Sequence, residues 1–286
     1  MTVKWLGHVA LAVTTGLGLA ACSQADGGLA PSLEVADELL TEALVDAERV
    51  SEVEINTLQV AAVLQPTGGE MVARKLHHSV VETPSSDIEV GSRSVSMTSA
   101  DFPLQEFLDL AHGQECDEGW ASAKAMVLSE TAVAYALECG EKPTEAEPVY
   151  HLGGEPLPEV LSDDMPGALS TLWSETRQIT DEAYTLLVQN KAAGSELELD
   201  YPHGERAARW KRSFDAEEVL VMPWVREPGT HPFSLAEVTP DQVLAAVEDE
   251  LQGQWRGLTS VAVRGTAEGG AEVVLEPGAR VFPIEG

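Results

Sequence analysis

Catalysis needs a nucleophile, a base or a phosphate cradle in defined relation, and this 286-residue sequence carries none of the common local forms. After residue 22 there is no GxSxG, no GxxxxGK followed by Ser or Thr, no HExxH and no SxxK. A site assembled from distant loops stays open, and it would show as a polar pocket with shifted carboxylates. His77 and His78 are neighbours in a strand-like run, so they point to opposite faces and cannot chelate one ion. His112 ends a helical run, where an imidazolium suits the macrodipole, and His151, His203 and His231 are isolated near Gly or Pro. No acidic run alternates around a glycine as a calcium loop requires; Asp163 and Asp164 read as a helix cap, and Glu115 with Asp117 as a solvated loop. No cofactor and no metal are expected.

Two other groups point to binding. Arg206, Arg209, Lys211 and Arg212 form a basic island that suits an anionic headgroup or a partner's acidic patch, or else guards a strand edge with charge. The second group is a hairpin rich in alanine. With Ser129 and Glu130 as a two-residue turn, Ala125 faces Ala134, Ala123 faces Ala136, Val127 faces Ala132 and Trp120 faces Cys139. One face then carries Ala121, Ala123, Ala125, Val127, Ala132, Ala134 and Ala136, a floor that either receives a closely packed helix or walls a groove for an apolar ligand.

With 17 Lys and Arg against 48 Asp and Glu, the formal charge is −31, which argues against any nucleic-acid role because phosphate backbones are held by clustered cations. A hydrophobic share of 44% argues against disorder. The acidity reads chiefly as a heavily solvated surface. Lys4 followed by a mostly apolar stretch over residues 5–21, short for a membrane span, reads as a signal peptide. It ends in Leu19-Ala20-Ala21-Cys22, which resembles the lipobox of bacterial lipoproteins. The resemblance implies acylation of Cys22 and a chain held at the extracytoplasmic face of a cell membrane. Residues 22–30, small, polar and Gly-rich, form a flexible tether. Setting Cys22 aside leaves Cys116 and Cys139, an even pair in an oxidising compartment, predicted to form a disulfide. Two thiols without CxxC or a nearby His ligand make a poor metal site.

The elements that position these groups follow a repeated pattern of one helix and a β-hairpin. Helices are predicted over 32–50 with Ser32 as cap, 102–112, 164–177, and from a capping box at Thr239, Pro240, Asp241 and Gln242 to Gly253. Alternating runs at 53–64, 71–81, 88–97, 183–189, 196–201, 258–264 and 271–275 read as strands, with Gly68-Gly69 and Gly269-Gly270 as turns. Residues 31–286 are expected to form an α+β extracytoplasmic domain, an antiparallel sheet with helices on one side and a sub-boundary left open near 226–238.

Residues 36–50 (ADELLTEALVDAERV), followed by VEINTLQV and ARKLHHSVV, resemble the start of the LolA/LppX-type lipoprotein carriers, and residues 196–212 resemble a later strand, turn and strand of that family. The resemblance implies a half-barrel sheltering acyl chains, with no catalytic residues. The leading expectation is a non-enzymatic, membrane-anchored lipoprotein that binds an apolar or acylated ligand for transport or retention. The alternative is an envelope scaffold or sensor module that docks a partner protein through its acidic surface over a fully packed core.

Overall fold

A computed structural model describes residues 33–77, 86–89, 95–114, 116, 120–191, 194–227, 229–252 and 255–284. The signal peptide, Cys22 and its tether, Ser32, His78, Glu115, Asp117 and Gly253 lie outside the described residues. The chain runs α1 (Leu33–Leu44), β1 (Ala47–Asn56), β2 (Gln59–Pro66), β3 (Val72–His77), β4 (Ser86–Glu89), β5 (Met97–Thr98), α2 (Leu104–Gly113), β6 (Trp120–Val127), β7 (Val133–Gly140), β8 (Glu147–Leu152) and β9 (Glu155–Pro156). It continues with α3 (Met165–Ile179), β10 (Glu182–Ala183), β11 (Thr185–Lys191), β12 (Gly194–His203), β13 (Arg206–Ser213), β14 (Val219–Trp224), β15 (Phe233–Ser234), α4 (Pro240–Leu251), β16 (Ser260–Gly265), β17 (Ala271–Glu276) and β18 (Arg280–Pro283).

The fold is α+β, with antiparallel sheets, one of them curled into a half-barrel. The first large sheet has the order β4-β3-β2-β1-β6-β7-β8-β9 with β5 added against β1, and the second has β14-β13-β12-β11-β16-β17-β18. Each sheet therefore joins two helix-plus-strands units through their leading strands, β1 with β6 and β11 with β16, both antiparallel. The helices cover one face of each sheet. In α1, Ala36, Leu40 and Ala43 are buried where the helix meets β2 and β3, and α3 lies on β11 and β12 with α4 against it.

Local chemistry explains the elements that match the sequence patterns. The Asp164 carboxylate accepts from the Gly167 N–H at 2.9 Å and Pro166 follows in the first turn, so α3 starts where its cap is. Thr239 and Gln242 form the reciprocal capping box of α4, and the left-handed Gln252 ends it. The first helix is shorter than its apolar spacing suggests. It stops at Leu44 because Asp46 is captured by Arg74 of β3 at 2.7 Å, and Val50, Val53 and Ile55 continue as a buried strand face. The run at 53–64 is broken into β1 and β2 by the Asn56 side chain, whose oxygen accepts the N–H groups of Leu58 and Gln59 at 2.9 and 3.0 Å.

The second sheet, α3 and the segment crossing over from the first sheet are pinned by one buried ion pair. Arg212 and Glu175 have side chains 0% and 4% exposed, and Arg212 Nη2 lies 2.7 Å from Glu175 Oε1. The guanidinium also donates to the carbonyls of Pro158, Ser213 and Phe214 at 3.0, 3.2 and 3.4 Å, while the Trp210 indole N–H reaches Glu175 Oε2 at 3.4 Å. A buried guanidinium is tolerable only when its donors are used in this way.

Candidate functional site

The alanine hairpin pairs one residue out of the expected register. Ala125 faces Tyr135, Ala123 faces Leu137, Ala121 faces Cys139 and Trp120 faces Gly140. The cause is loop length: Ser129, Glu130 and Thr131 form a three-residue turn, closed by Leu128 N–H to Ala132 O at 2.9 Å and Thr131 N–H to Ser129 Oγ at 3.3 Å. A one-residue slip moves every side chain of the second strand to the other face. The seven residues of the supposed floor are thus divided. Ala121, Ala123, Ala125 and Val127 share a face with Val133, Tyr135, Leu137 and Cys139, whereas Ala134 and Ala136 lie on the other face, across from Met126 and Lys124. Ala132 sits at the turn. Ala121, Ala123 and Ala125 are 0–1% exposed, and Phe107 of α2 stacks on Tyr135 of the same face at 6.2 Å. Small side chains here let a helix approach closely, so that floor is filled by the chain itself.

The opposite face of the hairpin is charged. Lys124 pairs with Glu52 at 3.0 Å, and Asn56 donates to Glu54 at 2.7 Å. Burial, with the neighbouring Glu54 charge, raises the pKa of Glu138 above the usual carboxylate range. Cys116 and Cys139 form a disulfide pair with Cα atoms 5.8 Å apart, fastening the segment after α2 to β7. Gln114 adds a hydrogen bond to Glu138 O at 3.0 Å.

The basic island is not brought together as an anion site. Strand alternation sends Arg209 and Lys211 to the outer face, Arg212 into the core and Arg206 to the turn across from His203. Arg209 forks onto Asp200 at 2.6 and 2.8 Å, reaches Glu198 at 3.1 Å and lies over the Trp224 ring at 5.8 Å, while Lys211 holds Glu196 at 2.6 Å. The hydrogen bonds that Arg209 donates to Asp200 raise its pKa, and burial raises that of Glu198. Nor does the island guard an edge, because β13 has β12 on one side and β14 on the other. Arg209 and Lys211 instead neutralise carboxylates of β12, and Arg212 pairs with Glu175 of α3.

A cleft of about 620 Å³ opens where the start of α2, the β6–β7 turn, the β8–β9 turn and the end of α3 converge. Its floor is apolar, with Met97, Val133 and Leu152, and its rim carries Asp101, Glu106 and Glu130. Tyr135 lies at the base, 1% exposed, with its hydroxyl bonded to Glu106; burial, reinforced by that carboxylate, pushes its pKa up, so it remains a phenol. Glu130 is held by Arg49 at 3.1 Å, and nearby His203 has its pKa lowered by burial and by the Arg49 charge. At the β8–β9 turn, Gly153 has φ +60°, and a Cβ there would run into Gln178 Oε1. A second cleft of about 400 Å³ lies beside Glu196, Lys211, Glu217, Glu218 and Leu220. Sequence spacing could not find the first cleft, since it gathers residues from segments spread over positions 97–178.

Among the described residues, no three His, Cys, Asp or Glu side chains are grouped to hold a metal ion, and no helix is long and apolar enough to cross a membrane.

The sequence matches no protein-family model and no curated protein. Among solved structures, it is similar to PCNA from Thermococcus kodakaraensis at 12% identity and a TM-score of 0.19, covering 88% of this chain and 96% of that one. It is also similar to the DNA polymerase III beta chain of Streptococcus pneumoniae, at 8% identity and a TM-score of 0.19, covering 89% of this chain and 64% of that one. The beta subunit from Thermotoga maritima follows at 10% identity and a TM-score of 0.17, covering 90% and 62%. Overlaps this weak carry no statement about what the chain does.

Proposed function

We propose that this protein is a non-enzymatic docking module, tethered through Cys22 at the extracytoplasmic face of a membrane, that holds a partner protein by its acidic surface. The observation that carries the choice is the filled hairpin floor: Ala121, Ala123 and Ala125 are 0–1% exposed, on the face where Phe107 of α2 stacks on Tyr135. A carrier of acyl chains needs that volume for its cargo. A formal charge of −31 supplies long-range attraction for a cationic partner and repels copies of the chain.

Native mass spectrometry of residues 23–286, prepared without detergent, tests the choice directly. The bare polypeptide mass is expected; adducts of lipid mass would restore the carrier reading. Crosslinking in intact cells should yield one dominant protein partner, and in isolated membranes its capture should weaken as salt rises. The tether is tested separately: Cys22→Ala should release the protein from the membrane fraction, and continued retention would refute the anchor.

A further inference from the structure

β14 is the last strand of its sheet, and the stretch around it concentrates exposed apolar side chains: Leu220 is 38% exposed, Met222 37% and Val225 80%. In register, Leu220 stands across from Lys211, Met222 from Arg209 and Trp224 from Ala207. All three therefore project from the outer face, while Val219 and Val221 pack against the core. An apolar strip of this kind at a sheet margin is a feature of interaction surfaces.

Its surroundings specify what could cover it. The cleft of about 400 Å³ begins at Leu220 and is walled by Glu196, Asp215, Glu217 and Glu218, with Lys211 already committed to Glu196 at 2.6 Å. Glu227, exposed, lies beyond the other end of the strip. The backbone edge offers little for strand addition. Ser213 N–H to Glu218 O at 2.9 Å sets the bonding parity, which points the backbone groups of Val219, Val221 and Pro223 toward the open edge. The Tyr150 hydroxyl lies against the Val219 N–H, and Pro223 has no N–H to offer. Edge-to-edge pairing with a second copy is thereby obstructed, and like charge opposes it further.

We infer that the outer face of β14, with Leu220, Met222 and Trp224 beside the acidic cleft, is the docking surface, and that its occupant is a partner-protein segment with an apolar ridge flanked by Lys or Arg. The apolar ridge covers the strip, and a basic side chain enters the cleft. This inference rests on the docking reading and adds the location and the partner's chemistry.

The test uses the full chain in its own host, with a photoreactive residue placed at Met222, at Val281 on the opposite margin of the same sheet, or at Val45. A single protein adduct is expected from Met222 and not from the other two sites, and it should fall at least tenfold with Glu217→Lys and Glu218→Lys together. An adduct from Val281 or Val45 alone would refute this face and leave the docking reading standing. No adduct from any of the three would count against both, and an adduct at twice the chain's own mass would replace the basic partner with a second copy. An adduct at Met222 indifferent to charge reversal would overturn the assigned chemistry. In a purified arm, a short amphipathic lysine–leucine peptide should bind the chain at least tenfold more weakly after Leu220→Ser with Met222→Ser, at unchanged thermal stability. Unchanged binding after Leu220→Ser with Met222→Ser would show that only bulk charge attracts it, and equal loss from Val281→Ser would remove the β14 strip as the specific site.

Discussion

Replacing Glu175 with Leu should cost more than any single change on the protein surface. The substitution strips the carboxylate from a guanidinium that is 0% exposed, and Arg212 keeps only the carbonyls of Pro158, Ser213 and Phe214 as acceptors. The Trp210 N–H loses its acceptor as well. Breaking one side of a buried ion pair costs about 3–5 kcal/mol, because the remaining charge stays desolvated. At roughly 2–4 °C per kcal/mol for a domain of this size, the melting temperature should fall by about 10 °C. Arg212→Met should do similar damage by leaving Glu175 buried alone. The double variant should recover most of the loss, since two apolar side chains of similar volume replace the pair without an orphaned charge. Urea unfolding of the four proteins, read as a double-mutant cycle, measures this directly. Costs below about 1 kcal/mol for both single variants, or a double variant as unstable as the sum of the two, would refute the reasoning.

Three further outcomes are expected. Cys116→Ser with Cys139→Ser opens a cross-link of sequence separation 23, worth about 3 kcal/mol on the chain-entropy view, and should lower the melting temperature by several degrees; identical melting of the wild type with and without reductant would contradict it. The His203 pKa is lowered in the folded protein by burial and by Arg49, from an ordinary value of 6.5, so the unfolded chain takes up the proton first and stability falls as pH drops below about 6.5. His203→Gln should flatten that part of the stability profile, and an unchanged slope would remove His203 as its source. Gly153→Ala places a side chain at φ +60° against Gln178 and should destabilise by about 1–3 kcal/mol in thermal melts; a neutral result would mean that the turn and the end of α3 shift apart freely.

Much of the fold was legible because its signals are local. Asp164 with Pro166, and Thr239 with Gln242, fix the starts of α3 and α4 through bonds made within one turn of helix, so no tertiary context was needed. The end of α1 was not legible in the same way. Its apolar spacing runs on past Leu44, and only Arg74, 28 residues beyond Asp46, shows where it stops. The hairpin illustrates a sharper limit, since Ser129 and Glu130 suit a two-residue turn and the added Thr131 alone reverses which alanines share a face. Counting cations found the island at 206–212, but strand periodicity divides it between the outer face, the core and a turn. The cleft beside Tyr135 was invisible for a simpler reason: Glu106, Glu130, Leu152 and Gln178 come from four segments. The edge strip on β14 could have been found by noting Leu220 and Met222 at alternate positions before Pro223.

The union of leading strands in each sheet has a mechanical consequence. Since β1 meets β6 and β11 meets β16, each sheet has its seam at the centre, and among the described residues every other ladder of the two large sheets except the short β1–β5 pair is a hairpin between strands that follow one another in the chain. Most ladders can zip up over short loops soon after synthesis, leaving the two seams as the main events that must wait for a distant segment. The crossover at 157–164 lies between these two zippers and belongs to neither sheet, so a cut just after Pro158 would divide the polypeptide without removing a strand from either, and the hold of Arg212 on Pro158 would join the bond from the Tyr201 hydroxyl to the Leu128 carbonyl as clasps between the fragments.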